Sequence, residues 1–422
     1  MSTPLTRNPE LETRNLYKPI LLKYQGRTEA AGLEEYGGYR AWRKAQDMTP
    51  EQVVDEVKQS NLKGRGGAAF PTGMKWSFVP KVDGPKYLAV NADESEPGTF
   101  KDREIMETCP HMLIEGSLIA CYAFGAKTAF IYIRGEYETA ALRLEAAVEE
   151  AGAAGLLGDY QVLVFRGAGA YICGEETALL ESLEGRRPMP RSRPPFPAVE
   201  GLYGRPTVIN NVETLSNVPH ILNNGAEWFK SVDPKIFCLS GHVNRPGNYE
   251  RPLGSLTIRQ LIEECGEGVI GERAVKGVLP AGASAPILTA DKLDTVLDYD
   301  SIRTAGSMLG SASFIVLSDA ACIVRAAARM VEFFRQESCG KCTPCREGTM
   351  WLHKILTRLE EGSGSEADLD LLLSLSDEIS GKVLCALGDF AVSPVVATVT
   401  QFRDEYLDHL RLGKCPFGSW AL

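Results

Sequence analysis

The sequence lacks an uninterrupted apolar run of the length that crosses a membrane. Its most apolar stretch, residues 313–331, is interrupted by Asp319, Arg325 and Arg329, and charged side chains are costly inside a bilayer. The first 14 residues mix acidic and basic side chains without an apolar segment. We therefore expect no direct membrane span, no secretory signal and no mitochondrial transit peptide.

Excess positive charge is also missing. The 45 lysines and arginines are outnumbered by 55 aspartates and glutamates, which gives a net charge of −10. This balance argues against a nucleic-acid partner, because phosphate backbones select basic surfaces. The length of 422 residues, with 44% hydrophobic and 24% charged residues, is typical of a globular chain with about two to four domains.

The sequence also lacks the even number of cysteines that a disulfide framework requires. The chain has 11 cysteines, an odd number, so we expect reduced thiols and a cytoplasmic location. Most of them are expected to be small buried apolar residues. Three depart from that pattern, because Cys339, Cys342 and Cys345 follow a C-x2-C-x2-C spacing.

This spacing suits three corners of a [4Fe–4S] cluster, and Gly340 and Pro344 favour the tight loop that such ligands need. A bacterial ferredoxin run would continue with a cysteine at position 349, which is Thr349 here. Two later candidates for the fourth ligand remain, Cys385 and Cys415, and the spacing does not decide between them. Zinc is the alternative metal, although zinc sites more often use two separated C-x2-C pairs.

The middle of the chain alternates between two periodicities. Short β-branched and aromatic runs at 87–91, 130–133 and 162–165 are typical of strands, and the segments 111–124 and 138–151 between them have helical patterns. The order βαβαβ predicts an α/β fold with a parallel sheet and helices on its faces. Ahead of it, Thr49 and Pro50 predict the start of a helix.

The segments after residue 187 have other compositions and periodicities. The prolines of 188–197 predict a stiff connector. Short strand-like runs and a hairpin-like Arg245-Pro246-Gly247 indicate a small α+β module, and helical patterns at 319–336, 347–361, 366–380 and 393–412 predict a four-helix bundle with Pro394 in the first turn of its last helix. The predicted units are 1–60 (an N-terminal extension with a helix), 61–233, 234–318 and 319–422.

A glycine-rich loop precedes the first predicted strand. Gly64-Arg65-Gly66-Gly67 lacks the G-x-G-x-x-G pattern, because position 69 is alanine, and it is not a Walker loop. Its glycines would still let backbone N–H groups approach a phosphate, to which Arg65 and Lys75 would add positive charge. Taken alone, the loop is equally well explained as an ordinary tight turn.

Acidic and amide side chains follow the predicted strands. The segment 91–98 comes directly after the first one, at the edge where open α/β sheets bind ligands. Its side chains, like Glu175-Glu176 and Asn210-Asn211, are suited to the hydroxyls of a ribose or ribityl chain, with a solvated loop as the alternative. Phe70 and Phe78 are suited to stacking on an adenine, or to an ordinary core.

Five motifs together resemble the flavoprotein subunit of respiratory complex I, the 51 kDa-type, NADH-binding F-type subunit of bacterial NADH–quinone oxidoreductases. They are residues 64–76, 91–98, 174–179, 210–214 and 339–348, and the resemblance extends over about 15–415. One departure is Ala69, where the family more often has glycine. We expect the methyl group to be tolerated if the φ angle there is negative.

The resemblance implies a Rossmann-like FMN- and NADH-binding domain, then a ubiquitin-like β-grasp module of the soluble-ligand-binding type, then the helical bundle with one [4Fe–4S] cluster. It implies an NADH dehydrogenase in which hydride passes from NADH to FMN and single electrons continue through the cluster toward quinone. No side chain is expected to be catalytic, because the cofactor carries the chemistry.

The resemblance also implies the site residues. FMN is expected to contact Gly64, Arg65, Gly66, Gly67, Lys75, Asn91, Asp93, Glu94, Tyr171, Gly174, Glu175, Asn210 and Asn211. NADH is expected to contact Phe70, Phe78, Glu96, Glu176 and Phe196. Cys385, rather than Cys415, is implied as the fourth cluster ligand. Glu96 and Glu176 are expected to repel the extra phosphate of NADPH, since residues 174–182 contain no arginine.

The implied partners are a thioredoxin-like [2Fe–2S] subunit and a larger multi-cluster iron–sulfur subunit, in a complex peripheral to the inner membrane. One alternative is the diaphorase subunit of an NAD-linked hydrogenase or formate dehydrogenase. Many of those chains carry extra thioredoxin-like or ferredoxin domains, which we do not expect within these 422 residues. A remote alternative is a zinc-stabilised scaffold without redox activity.

Overall fold

A four-stranded parallel sheet forms the centre of the first domain. The computed structural model describes residues 17–417, so the expectations for 1–16 and 418–422 lie outside it. The strands follow the spatial order β3-β2-β1-β4, and all three neighbouring pairs are parallel. They are β1 Tyr87–Ala92, β2 Thr128–Ile133, β3 Gln161–Arg166 and β4 Thr207–Asn211. The predicted α/β class is thus confirmed, with β4 as an addition.

Helices pack around this sheet. The longest buried one, Pro110–Phe124, is apolar almost all round, because it lies between the sheet and other helices. Thr49 and Gln52 form a reciprocal cap ahead of Pro50, as predicted. In chain order the helices are α1 Leu33–Tyr36, α2 Arg40–Gln46, α3 Pro50–Gln59, α4 Thr72–Ser77, α5 Lys101–Thr108, α6 Pro110–Phe124, α7 Glu138–Ala153, α8 Glu176–Leu183, α9 Val212–Asn224 and α10 Ala226–Val232.

The second module has a mixed five-stranded sheet with its own core. Its strand order is β6-β5-β9-β7-β8; β5 and β9 are parallel, and the other pairs are antiparallel. The predicted hairpin joins β5 to β6. The elements are β5 Pro234–Gly241, β6 Gly247–Pro252, α11 Ile258–Gln260 with a π turn at Leu261–Cys265, β7 Val275–Ala283, β8 Leu288–Thr289, α12 Tyr299–Thr304 and β9 Ser313–Ser318. This is the β-grasp-like arrangement that the resemblance implies.

The C-terminal region is helical as predicted, with one helix more than the four patterns in the sequence indicate. Between residues 319 and 417 the structure has five: α13 Ile323–Glu337, α14 Thr343–Glu360, α15 Ala367–Ile379, α16 Ala386–Gln401 and α17 Arg403–Leu412. The last predicted helix is two helices that separate at Phe402. Pro394 lies inside α16 rather than in a first turn. Because α16 is apolar on most sides, its periodicity does not mark where it begins.

No helix among the residues that the structure describes has both the length and the apolar character of a bilayer crossing.

A buried cluster of charges joins the first domain to the β-grasp module. The Glu213 carboxylate accepts hydrogen bonds from the Lys235 Nζ at 2.8 and 2.9 Å, and the Lys101 Nζ lies 2.9 Å from it. Lys101 also contacts Asp102 at 2.8 Å. Burial would raise the pKa of Glu213, but the two ammonium groups outweigh it and lower that pKa to about 2.

We predict that Glu213→Gln strongly destabilises the protein. The substitution leaves Lys101 and Lys235 buried with one negative charge fewer, and breaking such a pair costs about 3–5 kcal/mol of unfolding free energy. Thermal and denaturant unfolding measure this loss. Glu227→Gln is the control, since Glu227 pairs only with the nearby exposed Lys230; an equal loss in both variants would contradict the prediction.

Candidate functional site

The glycine-rich loop lies against the carboxyl end of the parallel sheet. The N–H of Gly64 donates to the Phe70 carbonyl at 2.9 Å and closes the loop. A Cβ atom on Gly66 would come within 3.1 Å of the Asn211 Cβ, and Gly67 has a φ of +132°. Glycine is therefore favoured at Gly66 because Asn211 approaches closely, and at Gly67 because of the backbone conformation.

The condition under which the Ala69 methyl group would be tolerated, a negative φ, is not met. Its φ is +53°, in the left-handed region, where a Cβ atom costs about 1–2 kcal/mol. The loop turns back at this residue and brings Phe70 opposite Gly64. Glycine in the resembling family fits that requirement without strain.

Arg65 is directed away from the loop's ligand side. Its fully buried guanidinium pairs with Asp233 and lies 3.4 Å from the Tyr299 hydroxyl. Its backbone N–H donates to the Thr214 Oγ1 at 2.8 Å. The expectation that the Arg65 side chain adds charge to a phosphate is therefore not met in this conformation, because residues distant in sequence pair with it.

Lys75 and Glu176 meet at the carboxyl end of the sheet, in the region between the glycine-rich loop, residues 91–98 and residues 174–179 that we call the cleft. The Lys75 Nζ pairs with the Glu176 carboxylate and donates to the Ile209 carbonyl at 2.8 Å. The Arg193 Nη2 lies 3.9 Å from the Glu176 carboxylate. The 174–182 window contains no arginine, but the proline-rich connector brings Arg193 to Glu176 from outside that window.

Asp93 is buried in the cleft without a partner. Its residue is 1% exposed, and neither carboxylate oxygen accepts a hydrogen bond from a described residue. A Cβ on Gly174 would lie 3.5 Å from the Asp93 Oδ2, so the carboxyl faces the 174–179 motif. Burial raises the pKa of Asp93 to about 7. A buried carboxyl with both oxygens free is expected to hydrogen-bond a ligand, which fits a flavin in this cleft.

Neighbouring polar side chains are held by the protein itself. Asn91 donates from its Nδ2 to the Gly174 carbonyl at 2.8 Å. Asn210 accepts from the Trp76 indole N–H at 2.8 Å. Asn211 donates to the Asp102 Oδ2 at 2.6 Å. Each amide is thereby fixed in orientation at the edge of the sheet.

Glu94 caps the helix that follows the acidic segment. Its carboxylate accepts from the backbone N–H groups of Asp102 at 2.6 Å and Arg103 at 2.8 Å. Burial, followed by the Asp102 charge, raises the pKa of Glu94 to about 8. Glu175 caps α8 similarly, accepting from the N–H groups of Thr177 and Ala178 at 2.9 Å.

Glu96 faces the β-grasp module, which sequence reasoning did not expect. The Ser284 N–H and Oγ donate to its carboxylate at 2.9 and 2.6 Å, and the Tyr171 hydroxyl donates at 2.8 Å. Ser284 is thus a site residue that the sequence analysis missed. It lies 188 residues from Glu96 in a segment without a motif, so only the tertiary structure reveals it.

Three predicted aromatic residues are exposed rather than part of a core. Phe70, Phe78 and Phe196 are 45%, 53% and 58% exposed. The rings of Phe70 and Phe78 lie 6.0 Å apart, centroid to centroid. Exposed rings next to a polar cleft are suited to stacking on a planar ligand such as adenine.

Four thiols gather where α14 and α16 begin. Cys342 and Cys385 directly precede these helices, Cys345 lies in the first turn of α14, and all three contact the same apolar cluster as Cys339. The fold therefore brings Cys385 to the region of the C-x2-C-x2-C run. Cys415 contacts a different cluster.

Tyr171 connects the cleft to the region of the thiols. Its ring lies 5.2 Å from that of Phe333 and 5.8 Å from that of Phe334, both on α13, and its N–H donates to the Glu337 carboxylate at 3.0 Å. The segment after α13 carries Cys339, whose carbonyl accepts from the Arg187 guanidinium at 3.2 Å. The two candidate sites are therefore neighbours.

We predict that Asp93→Asn stabilises the cofactor-free protein at alkaline pH. The folded-state pKa of about 7 exceeds the unfolded value, so charging Asp93 costs stability as the pH rises, and the cost is complete above pH 7. Removing it raises the unfolding free energy at pH 8 by about 4 kcal/mol, since the pKa lies about three units above its ordinary value and each unit costs about 1.4 kcal/mol. Melting temperatures between pH 4 and pH 8 measure the effect.

The gain is expected to shrink toward pH 4, where both states bind the proton. The exposed Asp83 provides the matched control as Asp83→Asn, which is expected to change nothing across this range. A gain that is constant with pH would show that the Asp93 charge is not its cause.

Comparison with known proteins agrees with this geometry. The Nuo51 FMN-binding domain family matches residues 57–220, the SLBB domain family matches 236–271, and the iron-sulfur binding region of NADH-ubiquinone oxidoreductase-F matches 325–409. The second F-type subunit of the NADH-quinone oxidoreductase of Rhizobium meliloti is 53% identical over 421 residues, covering 95% of this chain and 100% of its own.

The F-type subunit of the NADH-quinone oxidoreductase of Mycobacterium tuberculosis (strain H37Rv) is 54% identical over 403 residues, which cover 91% of this chain and 90% of that protein. Among solved structures, a chain of the air-oxidized NAD⁺-reducing [NiFe]-hydrogenase matches with a TM-score of 0.83 and 35% identity, over 93% of this chain and 67% of its own. These matches confirm the resemblance found in the motifs: the chain belongs to the family of F-type subunits of NADH-quinone oxidoreductases, with an FMN-binding domain and a 4Fe-4S-binding region.

Proposed function

We propose that this chain is the NADH-oxidising flavoprotein subunit of an NADH–quinone oxidoreductase. The observation that carries the proposal is the pairing of two sites through Tyr171: a polar cleft with the buried, unpartnered Asp93, and a cluster of four thiols behind it. A cleft for a two-electron donor beside an iron–sulfur site is the arrangement that converts hydride transfer into single-electron transfer.

In this proposal FMN lies between the glycine-rich loop and the carboxyl end of the sheet. When bound, it supplies the hydride acceptor and the one-electron redox steps. Arg65 contributes structurally, because its charge pairs with Asp233. The proposed FMN contacts are Gly64, Gly66, Gly67, Lys75, Asn91, Asp93, Glu94, Tyr171, Gly174, Glu175, Asn210 and Asn211.

The protein's own contribution is orientation. Asn91 and Asn210 already have their side-chain hydrogen bonds formed, so little reorganisation is needed when a ligand arrives. Lys75, paired with Glu176, is the cation available to a phosphate on this side of the cleft. Near neutral pH Asp93 is close to the midpoint of its titration, and its protonated form offers one donor and one acceptor to the ligand.

NADH is proposed to enter over the exposed aromatic rings. Phe70, Phe78 and Phe196 would stack on the adenine, and Glu96 and Glu176 would accept hydrogen bonds from the ribose hydroxyls. Ser284 and Tyr171 hold Glu96 in place. The β-grasp module therefore helps to shape the nicotinamide-nucleotide side of the cleft.

Cys339, Cys342, Cys345 and Cys385 are proposed to hold the [4Fe–4S] cluster. The complex is proposed to be peripheral to the inner membrane on its cytoplasmic side, with a thioredoxin-like [2Fe–2S] subunit and a larger multi-cluster subunit as partners. The 35%-identical hydrogenase chain supports a second candidate, the diaphorase subunit of an NAD-linked hydrogenase. Identity of 53–54% over nearly the whole length of the two bacterial F-type subunits favours the first.

The test of this proposal is the Cys385→Ser variant. We expect it to lose the cluster's electron paramagnetic resonance signal and most of its iron, since three thiolates hold a cubane poorly. Bound flavin is expected to remain reducible by NADH, because the cleft is intact. Cys415→Ser is the matched control and is expected to keep both signals. Loss of iron from Cys415→Ser instead would overturn the ligand assignment, and a colourless wild-type protein would overturn the function.

We further predict that Glu176→Gln weakens the preference for NADH over NADPH. The substitution removes a negative charge that repels the extra phosphate and leaves Lys75 and Arg193 to attract it. The ratio of kcat/KM values is expected to shift toward NADPH about tenfold, which corresponds to about 1.4 kcal/mol. Glu149→Gln, at an exposed position, is the control and is expected to leave the ratio unchanged. An unchanged ratio in Glu176→Gln would show that the Glu176 carboxylate does not determine the selectivity for NADH.

A further inference from the structure

A second group of metal-binding side chains lies in the helical region, apart from the four thiols. The Sγ atoms of Cys322 and Cys415 and a ring nitrogen of His409 all lie within 4.8 Å of one another. The Cys322 Sγ is 3.3 Å from the His409 Nε2. Cys322 and His409 are fully buried and Cys415 is half-buried. We propose that these three residues bind a zinc ion.

His409 is oriented as a metal ligand. Its Nδ1 lies 2.7 Å from the carbonyl oxygen of Glu405. A carbonyl only accepts, so Nδ1 carries the proton and Nε2 presents its lone pair toward Cys322. A hydrogen bond from the second ring nitrogen to a carbonyl is the usual way in which proteins fix the tautomer of a ligating histidine.

Cys322 is held in place at the start of a helix. It directly precedes the 15-residue helix α13, and the Arg325 N–H donates to its Sγ at 3.3 Å, which fixes the sulfur beside His409. Cys415 comes from the segment after α17, so the site joins the start of one helix to the end of another.

The donor set selects the metal. Two thiolates and one imidazole suit zinc, whereas magnesium and calcium require oxygen ligands. The nearby Glu405 carboxylate is already occupied, because it accepts from the Ile323 N–H at 2.5 Å and pairs with Lys276 at 3.0 Å. The proposed site therefore has three protein ligands, with the fourth position on the half-buried Cys415 side open to water.

The charges balance in this binding step. Zn²⁺ displaces one proton from each of Cys322 and Cys415, and both protons pass to solvent, while His409 binds as the neutral imidazole. The resulting site has no net charge, which suits its buried position. No oxidant or reductant is needed. The ion would fasten α17 and the following segment to α13, the helix that leads to Cys339.

The experiment uses the full chain with its cofactors, purified without oxygen. We expect about one zinc per chain in addition to the iron, and a zinc K-edge absorption spectrum with two sulfurs at about 2.3 Å and one nitrogen at about 2.0–2.1 Å. The edge is specific to zinc, so the iron–sulfur group does not interfere. Cys415→Ser and His409→Gln are expected to weaken Zn²⁺ binding at least about tenfold in chelator competition.

Two controls separate this site from the four thiols. Cys339→Ser is expected to lose iron and keep zinc, and Cys265→Ser, in the core of the β-grasp module, is expected to keep both. Iron and flavin retained in Cys415→Ser show that this variant is folded, since Cys415 is the least buried of the three ligands.

Several results would overturn the proposal. They are wild-type protein without zinc, a zinc spectrum without a sulfur shell, unchanged zinc affinity in Cys415→Ser and His409→Gln, or zinc that is lost together with iron in Cys339→Ser. A Cys322–Cys415 disulfide, found by mass spectrometry of the anaerobically purified protein under non-reducing conditions, would also overturn it, because both sulfurs are needed as thiolates.

Discussion

The contact between Glu213 and the two lysines is the constraint on which the arrangement of the site depends. Glu213 lies in the first turn of α9, which follows the β4 strand directly. Lys101 begins α5, and Lys235 lies in the first strand of the β-grasp module. Each ion would be costly to bury alone, so the three must meet. Their contact therefore fixes how α5, α9 and the β5 strand of the β-grasp module lie relative to one another.

The consequences extend into the cleft. Asp102 bonds Lys101, and its other oxygen accepts from the Asn211 amide; Asn211 in turn lies against Gly66 of the glycine-rich loop. The same loop is anchored by the pair of Arg65 with Asp233, the residue directly before β5. The Arg65 guanidinium also lies 3.4 Å from the Tyr299 hydroxyl, so the loop is held to the β-grasp module as well as to the sheet. This leaves Asp93 as a buried polar group with its hydrogen-bonding capacity still available.

Local patterns were sufficient for the elements and the motifs. Alternating strand and helix periodicities predicted three strands of the sheet, and the cysteine spacing predicted a metal site at Cys339. What failed depends on distant partners: Ser284 reaches Glu96 across 188 positions, and Arg65 turns toward Asp233 rather than toward a ligand. The position of Pro394 was predicted wrongly for a local reason, because the helix around it is apolar on most sides and its periodicity does not mark its start.

The two sets of thiols show how far spacing alone can identify a metal. From the sequence alone, Cys385 and Cys415 are equally good candidates for the fourth ligand beside the C-x2-C-x2-C run. In the structure they pack against different apolar clusters. The thiols of the run pack against the same apolar cluster as Cys385, whereas Cys415 is within 4.8 Å of Cys322 and His409. Helix packing, rather than spacing along the chain, therefore determines which donors meet. The same helix α13 connects both sites, because Cys322 precedes it and Cys339 follows it. A metal ion at its start would stabilise the support on which the iron–sulfur ligands rest.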